Sequence, residues 1–193
     1  IEHSGETSGS DGWNGIALGS CWDERLAGTN GVSMALRTGN AVTVRGADHY
    51  FSTLRQFACT GVPVLDANGG MIGAINLVSV DRGNRADYLF SQQLLAKTAH
   101  RIQRNLFEKE FNDAMLVTVS RGGRAHILSE DALVAVNEAG MIIGATSTVS
   151  TCLDGANAAS LTGQAFEAIF SVDSNRLVNV PERVLSIPGN HGA

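Results

Sequence analysis

The sequence predicts an α+β fold with antiparallel sheets, and three observations carry that prediction. Short β-branched runs flank Asp66-Ala67-Asn68-Gly69-Gly70, a turn whose Asn and Gly tolerate positive φ. Helix-patterned segments lie before and after those runs, which favours helices beside an antiparallel sheet. The strand-turn-strand arrangement then returns once, around Asn137-Glu138-Ala139-Gly140. This echo is one of architecture, not a sequence repeat.

Residues 1–12 are polar and rich in Gly and Ser, and an extended or disordered segment is expected there, not a secretion signal. Glu2, Glu6 and Asp11 precede the first basic residue, Arg25, so this end is locally acidic. Gly15 to Gly19 suits a short strand. Thr29 or Asn30 can cap a helix with apolar positions at Val32, Met34, Ala35 and Leu36, and Gly39-Asn40 stops it. Strands are expected over 41–44, 57–65 and 71–78.

From Asn84 to Asp113 the period changes. No Pro or Gly occurs between Gly83 and Gly122, and Leu95, Ala99, Ile102 and Leu106 recur at helical spacing. A second stripe runs through Leu94, Phe107, Phe111 and Met115. This predicts a helix of roughly 30 residues, long for a globular domain. Its six basic and three acidic residues from Arg82 to Glu110 fit a solvated face. The helix can close the first sheet and also pair with its copy. A second unit is expected near Ser129, with strands over 132–136 and 141–145 and helices over 147–153 and 163–170. Arg176 to Val180 and a Pro/Gly/His tail follow.

Composition bounds the function. The 193 residues suffice for one medium domain or two small ones. With 44% hydrophobic and 17% charged residues the chain reads as soluble and globular. A net charge of -5 disfavours direct nucleic-acid binding, because phosphate contacts need clustered Lys and Arg. No apolar run reaches the ~18 residues of a membrane span. Three cysteines, Cys21, Cys59 and Cys152, without a CxxC pair, point to neither a disulfide framework nor a zinc site, and suit a reducing cytoplasm.

Catalytic signatures are sparse. The phosphate loop GxxxxGK[ST], the nucleophile elbow GxSxG and the zinc motif HExxH are all missing. His3, His49, His100, His126 and His191 show no ligand spacing, so no metal or cofactor is expected. Cys59 with His49 would make a thiol–base pair if folding brought them together. Trp22, Phe51 and Phe57 offer aromatic surface, and His49 and Asn76 polar anchors, the mixture found in small-molecule sites. Each of these aromatics is equally an ordinary core residue.

Cys21 to about Phe107 resembles the GAF domain at the front of sigma-54-dependent transcriptional activators, in particular the acetoin-catabolism activator group. The matching pieces are WDERLAGTNGVSMAL (22–36), AVTVRGADHYF (41–51), FACTGVPVLDANGGMIGAINL (57–77) and DYLFSQQLLAKTAHRIQRNLFE (87–108). DALVAVNEAGMIIGATSTV and LTGQAFEAIF, from Asp131 onward, are similar to parts of a PAS domain. The resemblance implies a GAF-like antiparallel sheet with flanking helices over 1–112, ending in a long linking helix, then a smaller, incomplete PAS-like α+β unit over 113–193. It lacks strands expected before Gly15 and most later PAS strands, so the chain is expected to be trimmed or a shortened relative.

The function so implied is that of a cytoplasmic, non-catalytic sensory region of an activator, with ATPase and DNA-binding modules outside these residues. A small-molecule ligand of unknown identity, a homodimer and no direct DNA binding are expected. The ligand-binding candidates are Trp22, His49, Phe51, Phe57, Cys59 and Asn76. Two alternatives stand beside it: a GAF-fold thiol reductase using Cys59, and a purely structural dimerisation module.

Overall fold

The structure, a computed structural model, describes residues 19–120, 131–153 and 156–172. It is mixed α+β with antiparallel sheets, as the sequence predicts. The strand expected over 15–19, the character of residues 1–12 and the segment after Arg176 lie outside the described residues, except Gly19, which sits in a turn.

Chain contacts define two compact units. Among the described residues, one takes those up to Pro63 together with Ala74–Leu95. The other takes Val64–Gly73 and those from Ala96 onward. These units interleave along the chain, whereas the domains expected from sequence, 1–112 and 113–193, follow one another.

In the first unit a short helix α1 (Glu24–Ala27) begins at Asp23, whose side chain accepts the Arg25 amide. The sequence reading left this helix out. Next comes α2 (Gly31–Thr38), with Asn30 as its N-cap and Gly39 in the left-handed region at its end. Its buried face corrects the expected one: Gly31, Ser33 and Ala35 are buried, Val32 and Met34 only partly, and Leu36 is exposed. Helix and sheet backbones approach so closely that only small residues fit between them. A Cβ at Gly61 would lie 2.1 Å from the Gly31 carbonyl oxygen, and one at Gly31 would lie 2.6 Å from the Cys59 carbonyl oxygen.

Strand β1 (Val42–Arg45) starts one residue later than expected, and two 3-10 turns, Gly46–Asp48 and Ser52–Leu54, lead to β2 (Phe57–Leu65). β2 is central, antiparallel to β1 with Val44 opposite Cys59, and β3 (Met71–Val80) is the edge. A continuous apolar run such as FACTGVPVL suits a strand covered on both faces, and β2 is buried along most of its length. β3 is exposed at Met71, Ile72, Leu77 and Val80.

Helix α3 (Arg85–Glu110) spans 26 residues, starting one residue later and ending three residues earlier than expected. It contributes residues to both units. Its buried positions are Ala99, Gln103 and Phe107, four residues apart. The second apolar stripe is corrected in two ways: Leu94 is exposed, and Phe111 and Met115 fall in the turn and strand beyond the helix.

The second unit has the sheet β4 (Met115–Val119), β5 (Ala132–Val136) and β6 (Ile142–Ala145), again antiparallel with the middle strand second in sequence. β4 was not anticipated, since the second unit was placed from Ser129. β5 is buried on both faces. Ala132, Val134 and Val136 face a core with Val149, Leu161, Phe166 and Phe170, while Leu133 and Ala135 face Phe107 and Ala67. Ala67 belongs to the β2–β3 turn, so that turn packs within this unit. Two helices are shorter than expected, α4 (Val149–Cys152) and, later in the chain, α6 (Phe166–Phe170), and between them lies α5 (Ala158–Leu161), which was not foreseen.

Both hairpin turns close by the same chemistry. Asp66 Oδ1 accepts the amides of Asn68 and Gly70 at 2.9 and 2.7 Å. Asn137 Oδ1 accepts those of Ala139 and Met141, each at 3.0 Å. Gly69 and Gly140 supply the positive φ that the two turns require.

Candidate functional site

The six predicted ligand residues all lie in the first unit, and the structure brings three of them to the start of α2. Asn30 is only 1% exposed and its side chain is fully used. Oδ1 accepts the Ser33 amide at 3.0 Å, and Nδ2 donates to the carbonyls of Trp22 at 3.1 Å and Gly28 at 2.8 Å. The GTN run is therefore a helix cap that also holds the chain at Trp22. Gly28, at φ +64, leaves no room for a side chain, since a Cβ there would lie 2.5 Å from that of Tyr50. Gly31 follows, with Cys59 and Asn76 on its other side: a Cβ at Gly31 would reach Asn76 Oδ1 at 2.6 Å. Trp22 and Cys59 thus meet the start of α2 through their backbone carbonyls, and Asn76 through its side-chain oxygen.

His49 and Phe51 sit on the connection between β1 and β2. Phe51 is 44% exposed and meets Tyr50 edge-to-face, with ring centroids 5.2 Å apart. Phe57 opens β2 and is buried, on the same side of the strand as Cys59 by alternation. His49 is 1% exposed. Its Nδ1 lies 3.3 Å from the Gly46 carbonyl, and its Nε2 is buried with no partner among the described residues. Burial pushes its pKa down, against the opposing pull of the Gly46 carbonyl, Asp48 and Asp81. Two grooves, of ≈ 490 and ≈ 300 Å³, are lined by none of the six residues.

Burial likewise pushes the Cys59 thiol up to about 11. At neutral pH only ~1 in 10⁴ of such thiols is ionised, and the thiolate is the nucleophile. No hydrogen bond between Cys59 and His49 is found among the described residues.

A polar group missed by sequence reasoning lies beside His49. The Tyr88 hydroxyl donates to Asp81, and the Gly83 amide donates to the same carboxylate at 2.9 Å. These bonds hold the Asp81 pKa below its usual value, Tyr88 being the larger cause. The Arg45 guanidinium stands 5.2 Å above the Tyr88 ring. One turn further on, Gln92 donates to Thr43 Oγ1 at 3.0 Å, and Thr43 Oγ1 lies 3.0 Å from Thr60 Oγ1. The first turns of α3 are therefore tied by hydrogen bonds to the β1–β2 side of the sheet. Gln92, a polar interruption of the apolar phase, was the one sequence signal for this. No helix among the described residues is long and apolar enough to cross a membrane.

Residues 13–103 match the family described as MimR, N-terminal domain. The acetoin catabolism regulatory protein of Cupriavidus necator is 30% identical over 90% of this chain and 26% of its own length. The propane 2-monooxygenase operon transcriptional activator MimR of Mycolicibacterium smegmatis is 39% identical over 44% of the chain and 14% of its own. The acetoin dehydrogenase operon transcriptional activator AcoR of Bacillus subtilis is 27% identical over 70% of the chain and 22% of its own. The chain thus spans about a quarter or less of the length of these relatives. Among solved structures, the E. coli DhaR(N)–DhaL complex is similar at 17% identity and a TM-score of 0.40, over 80% of this chain and 52% of that one. Residues 13–103 are thus similar to the MimR N-terminal domain, and the relatives of the chain named above are transcriptional regulators and activators.

Proposed function

We propose that the chain is the cytoplasmic sensory region of a sigma-54-dependent activator, GAF-like in its first sheet and PAS-like in its second. It binds a small metabolite beside His49 and passes the signal through α3 to ATPase and DNA-binding modules elsewhere in the protein. The observation that carries this reading is the buried Nε2 of His49, unpartnered among the described residues. Leaving such an atom unsatisfied costs ~1–3 kcal/mol, which a ligand donor or acceptor would recover. Trp22, Phe51, Phe57, Cys59 and Asn76 complete the proposed wall, opened by a small shift of α2 or the β1–β2 connection. The names of the relatives support a regulatory role and small oxygenated metabolites as first candidates. Exposed Leu89, Phe90 and Leu94 on α3 support pairing with a second copy.

The test is a thermal-shift and native-mass titration with short hydroxyketones, diols and aromatic acids. A ligand at roughly a hundredfold its Kd stabilises by ~2.7 kcal/mol, and His49→Phe should abolish that gain. If none of the candidates binds, or if His49→Phe responds like the parent, sensing at His49 is wrong. The protonated, buried Cys59 argues against the thiol-reductase alternative.

A further inference from the structure

Gln103 stands in the buried row of α3 between Ala99 and Phe107 and is 4% exposed. Both ends of its amide are used. Nε2 donates to the Asp66 carbonyl at 3.1 Å, and Oε1 accepts from the Ser147 hydroxyl at 3.1 Å. The same Asp66 carbonyl accepts the Gly69 amide at 3.2 Å within the β2–β3 turn. Ser147 adjoins Thr146, whose buried hydroxyl accepts the Leu133 amide at 2.9 Å and lies 2.9 Å from Thr148 Oγ1. Ala67, Phe107, Leu133 and Ala135 form the apolar cluster of this region. In such surroundings an amide with one end unpaired is costly, so the two bonds stand or fall together more than they would in water. A residue needed only for volume at this position would be apolar, like its neighbours in the row.

We propose that Gln103 is a positioning residue coupling the β2–β3 turn to the Thr146–Thr148 segment through α3, so that a displacement at one end is felt at the other. Asp66 is bonded through its backbone, so the coupling reads the path of the turn and not the side chain at that position. Use of this coupling in signalling rests on the sensory reading above, but the coupling itself does not.

Amide hydrogen exchange on the full chain tests it without any ligand. In Ser147→Ala, which leaves every bond of the β2–β3 turn intact, the Asp66 and Gly69 amides should exchange about three- to tenfold faster, the scale of coupling within one network. Gln103→Leu should accelerate these amides together with that of Val149, and adding Ser147→Ala to it should change Gly69 no further. Unchanged exchange at Asp66 and Gly69 in Ser147→Ala overturns the proposal, and this arm decides alone if Gln103→Leu does not fold. A failed ligand titration would sink the sensory reading and leave this result untouched.

Discussion

The two three-stranded sheets are built on one plan and stabilised by different means. In β4–β6 the middle strand is wrapped in side chains on both faces, with Phe166 and Phe170 stacked 4.5 Å apart on one side and Phe107 on the other. In β1–β3 the helix α2 approaches through Gly31, Ala35 and Gly61, and polar groups such as Asn30, His49 and Thr60 are buried among the apolar ones. The second sheet has a largely apolar core, with Gln103 and Thr146 as buried polar groups beside it, and its stability scales mainly with apolar volume. The first depends on backbone fit and on hydrogen bonds such as those of Asn30, which small displacements disturb. Such a construction suits the part of the molecule proposed to respond to a ligand.

Substitutions in each sheet test that contrast. The largest effect belongs to the second sheet: Phe166→Ala should cost ~3–5 kcal/mol by leaving a cavity, read as a lower midpoint in urea. Gly61→Ala should cost ~3 kcal/mol in the first sheet although it adds only a methyl group, because the Gly31 carbonyl cannot yield without moving α2. A loss below ~1 kcal/mol would show that helix and sheet are not held at this spacing. Asn30→Ala should cost ~1–2 kcal/mol through loss of the cap, with faster exchange at the Ser33 amide.

The smallest effect is a pH dependence. The pKa of His49 is lowered in the folded state, so the unfolded chain takes up the proton first as pH falls. Stability is therefore full above the ordinary value of 6.5 and declines as pH drops from there toward the folded pKa. His49→Phe should flatten that part of a stability–pH curve. An unaltered slope would mean that other groups produce it.

Particular residues mark how far the sequence could be read. The two turns were legible because Asp66 or Asn137, with a following Gly, closes a hairpin by local bonds alone. β2 and β5 were placed residue for residue, since long β-branched runs have no other good use. The buried face of α2 was misjudged because apolar spacing points to Val32 and Leu36, while the contact is made by glycine and alanine against a strand 30 residues away. β4 was missed because Met115 was read into the helical stripe with Phe107 and Phe111, whereas Met115–Val119 pairs with β5 as a strand. The six candidate ligand residues were picked by chemistry. Nothing in their spacing showed that Trp22, Cys59 and Asn76 meet at the start of α2 while Phe51 stays 44% exposed on the β1–β2 connection.

By itself, then, the sequence determined what local physics can fix: turn positions, the central strands, a long helix without Gly or Pro, and an acidic, globular composition. The tertiary structure alone decided which faces are buried, that the β2–β3 turn packs within the second unit, and that Gln103 has two partners 37 and 44 residues distant in the chain. The physical reason is that close backbone approach and a satisfied buried amide depend on groups far apart in sequence. Neither leaves a periodic trace along the chain.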